Sequence, residues 1–91
     1  MSSVLVVDDE KYIRETLRDV LEDEGYSVLT AGDGKNALDI LNVNMVDIVL
    51  LDLWLPEMGG LEVLGRIKEE YSEVQIIIIT GHGTIDSAVK A

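Results

Sequence analysis

The chain is predicted to fold as an α/β protein, a parallel sheet with helices on both faces, and three features of its 91 residues carry that expectation. Short apolar runs alternate with stretches of helical periodicity in the order βαβαβαβα, the pattern of a parallel sheet joined by crossover helices. The run Ile48-Val-Leu-Leu51 contains no polar residue, as expected of a strand buried on both faces. The runs also end in polar chemistry: Asp8-Asp9 after the first, Asp52 after the third and Thr80-Gly81 after the fourth.

Each element has its own local reason. Val4 to Val7 is the first strand-sized run. From Glu10 to Glu24, Ile13, Leu17, Val20 and Leu21 recur on one helical face. Asp8 or Asp9 is placed to cap that helix, Glu10 suits its positive end, and Gly25 can close it as a C′ glycine. Tyr26 to Thr30 reads as the second strand and Ala31 to Gly34 as a turn. Lys35 to Leu41 is a short helix with Ala37, Leu38 and Leu41 on its apolar face. Asp47 to Leu51 is the third strand, stopped soon after by Pro56. Gly59-Gly60 opens a helix from Leu61 to about Tyr71 with Leu61, Leu64 and Ile67 inward, and Gln75 to Ile79 is the fourth strand. After the Gly81-His82-Gly83 loop, Thr84 can cap a last helix starting near Ile85. One domain over residues 1–91 is expected, without repeats or low-complexity segments.

Composition excludes several classes. Without cysteine there is neither a disulfide framework nor a thiolate metal site. The apolar runs are far shorter than a membrane span and no signal-peptide core precedes the first strand, so a cytoplasmic protein is expected. A net charge of −11, with seven dispersed Lys and Arg, argues against contact with a nucleic-acid backbone. The acidity reads first as a solvated surface and second as a set of carboxylates gathered around a cation.

The second reading gains from topology. Strands of a parallel sheet deliver their C-terminal residues to one edge, where open α/β sheets bind ligands. With the first and third strands adjacent, Asp8, Asp9 and Asp52 crowd one small space. Uncompensated, they repel, and one takes up a proton at raised pKa. A hard divalent cation removes the conflict, and oxygen donors in a small site favour Mg²⁺, with Mn²⁺ as the alternative. An aspartate beside such a cation can attack phosphorus to form an acyl phosphate, a reaction that needs chiefly positioning and charge neutralisation. Thr80 offers a hydroxyl for a phosphoryl oxygen.

The segments Val-Val-Asp8-Asp9-Glu10, Leu-Leu-Asp52-Leu-Trp54-Leu-Pro56-Glu-Met58-Gly-Gly60 and Ile-Ile-Ile-Ile-Thr80-Gly together resemble the CheY-like receiver domain of two-component response regulators. The Thr80 to Val89 segment is most similar to receivers of NtrC-class transcriptional regulators. The resemblance implies a flavodoxin-like, doubly wound parallel sheet of strand order 2-1-3-4. It implies that Asp52 is the phosphoacceptor, that Asp9 and Asp52 ligate Mg²⁺ directly and Asp8 through water, that the Trp54 backbone carbonyl is a further ligand, and that Thr80 is the switch hydroxyl. The implied partners are a sensor histidine kinase and an output domain or partner protein, with transcription as the controlled process; the domain itself is not expected to be an enzyme. Gly60 matches the family glycine, whereas Gly59 stands where Asp or Asn is frequent. Family receivers also carry a fifth strand with a phosphoryl-pairing Lys, a position that Lys90 does not match. The receiver is therefore expected to be C-terminally incomplete, with the fourth strand a bare apolar edge through which copies associate or exchange elements.

Alternative readings of each residue are structural: Asp8-Asp9 as a helix cap, Asp52 as a turn residue, Thr80 as an ordinary strand end, His82 as a loop residue. Alternative functions are a non-phosphorylated interaction module and an Asp-nucleophile phosphatase. The latter needs an acid/base Asp two residues after the nucleophile, where this chain has Trp54. Trp54 is expected to be a half-exposed loop residue.

Overall fold

The computed structural model describes residues 2–79. Thr80, the loop around His82 and the helix expected from Ile85 lie outside the described residues. The elements are β1 (Ser3–Val7), α1 (Lys11–Asp23), β2 (Ser27–Ala31), α2 (Gly34–Val43), β3 (Ile48–Asp52), α3 (Gly60–Glu70) and β4 (Gln75–Ile79). All strand pairs are parallel and the sheet order is β2-β1-β3-β4, as expected.

The strand alternation sorts side chains between two faces. Leu5, Val7, Val49 and Leu51 point into a core completed by Ala37 and Leu41 of α2 and by Val63 and Ile67 of α3. The opposite face carries Val4 and Val6, which are buried, and Ile48 and Leu50, which are only half-buried. The expectation that β3 is buried on both faces is thus corrected: its pattern alternates, because α3 packs on one face of β3 while α1, on the other face, packs on β1 and β2. α1 packs chiefly on β1 and β2 and buries no residue fully, so Val20, expected inward, is 54% exposed.

Two further local expectations are corrected. Neither Asp8 nor Asp9 caps α1; Glu10 occupies the cap position and its side chain makes no capping hydrogen bond to the helix, and Gly25, at φ 94°, closes the helix as expected. The carboxylate of Asp8 instead accepts the N–H of Glu10, just ahead of the helix, and is grouped with Asp9 and Asp52 at the sheet edge. In α3, Leu61 is exposed and Gly60, Val63 and Ile67 face inward. The cause is the closeness of Gly60 to the β3–α3 connection, where its N–H donates to the Leu53 carbonyl and sets the rotation of the helix.

α2 starts on a cap that sequence reading took for a turn. The Asp33 carboxylate accepts the Asn36 N–H at 2.8 Å, an arrangement that contributes about 1 kcal/mol to a helix. At its other end α2 is tied to α3 by the Tyr71 hydroxyl, which donates to Asn42 Oδ1 at 2.6 Å. Among the described residues β4 has a neighbour on one side only, and Ile77 and Ile78 are partly exposed.

Candidate metal and phosphoacceptor site

The register of β1 against β3 builds the site. Val7 pairs with Leu51, so the residues that follow, Asp8 and Asp52, stand side by side at the C-terminal edge of the sheet. One carboxylate oxygen each from Asp8, Asp9 and Asp52 lie within 4.8 Å of one another. Asp8 and Asp52 are fully buried and Asp9 is exposed, so the cluster has two oxygens' worth of deep charge and one arm open to solvent.

Each buried carboxylate is held by one oxygen. Asp8 Oδ1 accepts the Glu10 N–H at 2.9 Å, and Asp52 Oδ1 accepts the Trp54 N–H at 2.9 Å. The second oxygens, Asp8 Oδ2 and Asp52 Oδ2, are buried with no hydrogen-bond partner among the described residues. A buried polar atom without a partner costs about 1–3 kcal/mol, more when charged. Burial pushes the Asp8 carboxyl above its usual range; the Glu10 N–H opposes that shift, and the negative charges of Asp52, Asp9 and Glu10 add to it. The arrangement is therefore unfavourable as bare carboxylates and suited to a cation that accepts hard oxygen donors. The residues present fit Mg²⁺.

The backbone around the site is close-packed. A Cβ on Gly60 would overlap Leu53 Cα and come within 2.6 Å of the Asp52 carbonyl oxygen, so only glycine lets α3 start against the end of β3. A Cβ on Gly34 would stand 2.5 Å from Val63 Cγ2, which locks the first turns of α2 and α3 together. Trp54 projects from the β3–α3 loop and is 61% exposed, in keeping with its expected loop position.

The structure thus brings Asp8, Asp9, Asp52 and Trp54 together, while Thr80 follows Ile79 just beyond the described residues. Sequence reasoning missed Arg14, whose Nη1 donates to the Asp8 carbonyl at 2.8 Å. Its position in a charged helix reads as solvent-facing, and nothing in the spacing signals a contact to a main-chain carbonyl.

Comparison with known proteins points the same way. Residues 4–91 match the model of the family described as response regulator receiver domain. Over 90 residues the chain is 43% identical to the nitrogen assimilation regulatory protein NtrX of Azorhizobium caulinodans, covering 97% of this chain and 20% of that one. It is 43% identical over 88 residues to the alginate biosynthesis transcriptional regulatory protein AlgB of Pseudomonas putida, with the same coverage. The chain thus spans about a fifth of the length of these curated relatives. Among solved structures it is similar to the response regulator TrrA of Thermotoga maritima in complex with Mg²⁺–BeF, at 41% identity and a TM-score of 0.86, covering 91% of this chain and 72% of TrrA. TrrA has also been solved in complex with the histidine kinase ThkA; that likeness has 40% identity and a TM-score of 0.85, over 92% of this chain and 72% of the matched one.

Proposed function

The chain belongs to the response regulator receiver domain family, and from that premise we propose that Asp52 accepts a phosphoryl group from a histidine kinase in a Mg²⁺-dependent reaction. The observation that carries the proposal is the pair of buried, unpartnered oxygens, Asp8 Oδ2 and Asp52 Oδ2, grouped with Asp9. Asp9 and Asp52 would hold the ion directly, Asp8 through water, and the Trp54 carbonyl would complete the protein donors. Bound there, Mg²⁺ would supply positive charge against the oxygens of the transferring group.

The chain's own residues do the rest. The Trp54 N–H fixes Asp52 Oδ1, which leaves Oδ2 as the oxygen free to attack phosphorus. A P–O bond to Asp52 forms as the donor's bond to phosphorus breaks, and the donor's leaving group departs with that electron pair. Burial of Asp52 keeps bulk water from its carboxyl. Thr80, the residue after Ile79, would donate its hydroxyl to the phosphoryl group. Residues 1–91 would form this receiver, which passes its state to an output domain or partner protein. The name of AlgB, a transcriptional regulatory protein, supports control of transcription as the outcome. With a net charge of −11, the domain would act without touching nucleic acid itself.

Incubating the protein with Mg²⁺ and a small acyl-phosphate donor should add the mass of one phosphoryl group, located at Asp52 by peptide mapping. Chelation of the metal and the substitution Asp52→Asn should each abolish the gain. Retention of the full gain in Asp52→Asn would defeat the assignment, and no gain in the unaltered chain would favour a non-phosphorylated interaction module.

The exposed isoleucines of β4 carry a second part of the proposal. Ile77 is 51% exposed on a strand that has one neighbour among the described residues, an edge suited to pairing with another copy. Sedimentation should show this 91-residue chain associating as its concentration rises, and Ile77→Lys should weaken that association. A concentration-independent monomer would contradict it.

A further inference from the structure

We propose that Arg14 is a positioning residue for the acidic site: through the main chain of Asp8 and the β2–α2 loop, it aims the free oxygen of Asp8 toward Asp52. The inference rests on the reading of Asp8 as part of a cation site.

Asp8 is fastened at several points. Its N–H donates to the Ala31 carbonyl at the end of β2, at 3.1 Å, and its Oδ1 accepts from Glu10. Its carbonyl oxygen accepts from Arg14 Nη1 at 2.8 Å. With the carbonyl, the amide and Oδ1 all engaged, the peptide plane has little freedom, and Oδ2 is the atom left over for the site.

Arg14 is itself held in place. Its backbone N–H donates to Glu10, and its guanidinium lies against Gly32, where an added Cβ would stand 3.2 Å from Nη1 and 3.6 Å from Cζ. The side chain thus spans from α1 to the β2–α2 loop and meets the end of β1 on the way. It lines a cavity of about 440 Å³ together with Thr30, Asn36 and Asp39.

Among the described residues Arg14 makes no ion pair at the site. The ion pairs formed among the described residues join Lys11 to Glu15 and Arg66 to Glu62. The charges that push Asp8 upward are those of Asp52, Asp9 and Glu10, and the Glu10 N–H works against them. The contact Arg14 makes is to the Asp8 main chain, so it acts on Asp8 by geometry. A guanidinium that donates from a rigid planar fork is poorly replaced by an ammonium.

The test is Mg²⁺ titration of Trp54 fluorescence, the sole tryptophan, beside a urea denaturation of each variant. Arg14→Ala should remain folded and bind Mg²⁺ about tenfold or more weakly, the usual scale for removing the support of a metal ligand. Arg14→Lys should recover only part of that loss. Gly32→Ala keeps the guanidinium but makes it give by a few tenths of an ångström, so it should weaken Mg²⁺ in the same direction, by less, and serves if Arg14→Ala fails to fold. Unchanged Mg²⁺ affinity in the folded fraction of these variants, with lowered urea midpoints, would overturn the proposal and leave Arg14 a packing residue. A lack of Mg²⁺ response in the unaltered chain would instead count against the cation site itself.

Discussion

Gly60→Ala should destabilise the fold by about 3 kcal/mol or more, the high end for a residue forced into a filled site. The methyl would meet backbone, namely Leu53 Cα and the Asp52 carbonyl oxygen at 2.6 Å, so no side-chain rotation relieves it. Either α3 retreats from the sheet, opening the packing of Val63 and Ile67, or the end of β3 shifts and takes Asp52 with it. A marginally stable domain tolerates neither well. The urea midpoint measures the effect, and Gly65→Ala is the control. Gly65 lies in the same helix with nothing within 4 Å of an added Cβ, so alanine there should stabilise by about 0.5–1 kcal/mol through helix propensity. If both glycines respond alike, the close approach at Gly60 is not what holds α3.

Asp8→Asn should move stability and metal binding in opposite directions. The Asp8 carboxyl titrates above its unfolded value of 3.8, so the folded state binds that proton more tightly than the unfolded chain does. Its contribution is favourable below the unfolded pKa and is lost as pH rises through the folded one. At neutral pH the ionised Asp8 therefore burdens the metal-free fold, with Oδ2 buried and unpartnered beside Asp52. Asparagine removes that charge, and the metal-free variant should gain about 1 kcal/mol or more at pH 7, the scale of a buried group without a partner. It should also lose the fall in stability that the unaltered chain shows as pH rises from acid toward neutral through the Asp8 titration.

Mg²⁺ should reverse the ranking. A ligand that binds only the folded state stabilises by about 2.7 kcal/mol at roughly a hundredfold excess over its Kd. The unaltered chain should show this gain, whereas Asp8→Asn should bind about tenfold or more weakly and gain little. Thermal unfolding with and without Mg²⁺, at two pH values, reads all of these effects. A variant that is less stable than the unaltered chain without metal would show that Asp8 is structural rather than strained by the site.

The order of elements, the parallel sheet and the acidic edge were legible in the chain because each rests on local pattern. Val4–Val7 and Ile48–Leu51 are too apolar and too short to be anything but strands, and the acids that follow them must emerge at the same edge of a parallel sheet. Asp52, Asp8 and Asp9 could therefore be named as one cluster before any distance was known. Tertiary structure decided what periodicity cannot: which way each helix rolls, and which groups end without partners. α3 turns Val63 inward instead of Leu61 because Gly60 must touch the Leu53 backbone, a contact between residues on different elements. Asp8 faces the site instead of capping α1 because the Ala31 carbonyl and the Arg14 guanidinium hold its main chain. Local pattern sets where a strand or helix forms; long-range packing against a filled core sets the last rotation and decides which groups are left over, here one oxygen on each of two buried aspartates without a partner among the described residues.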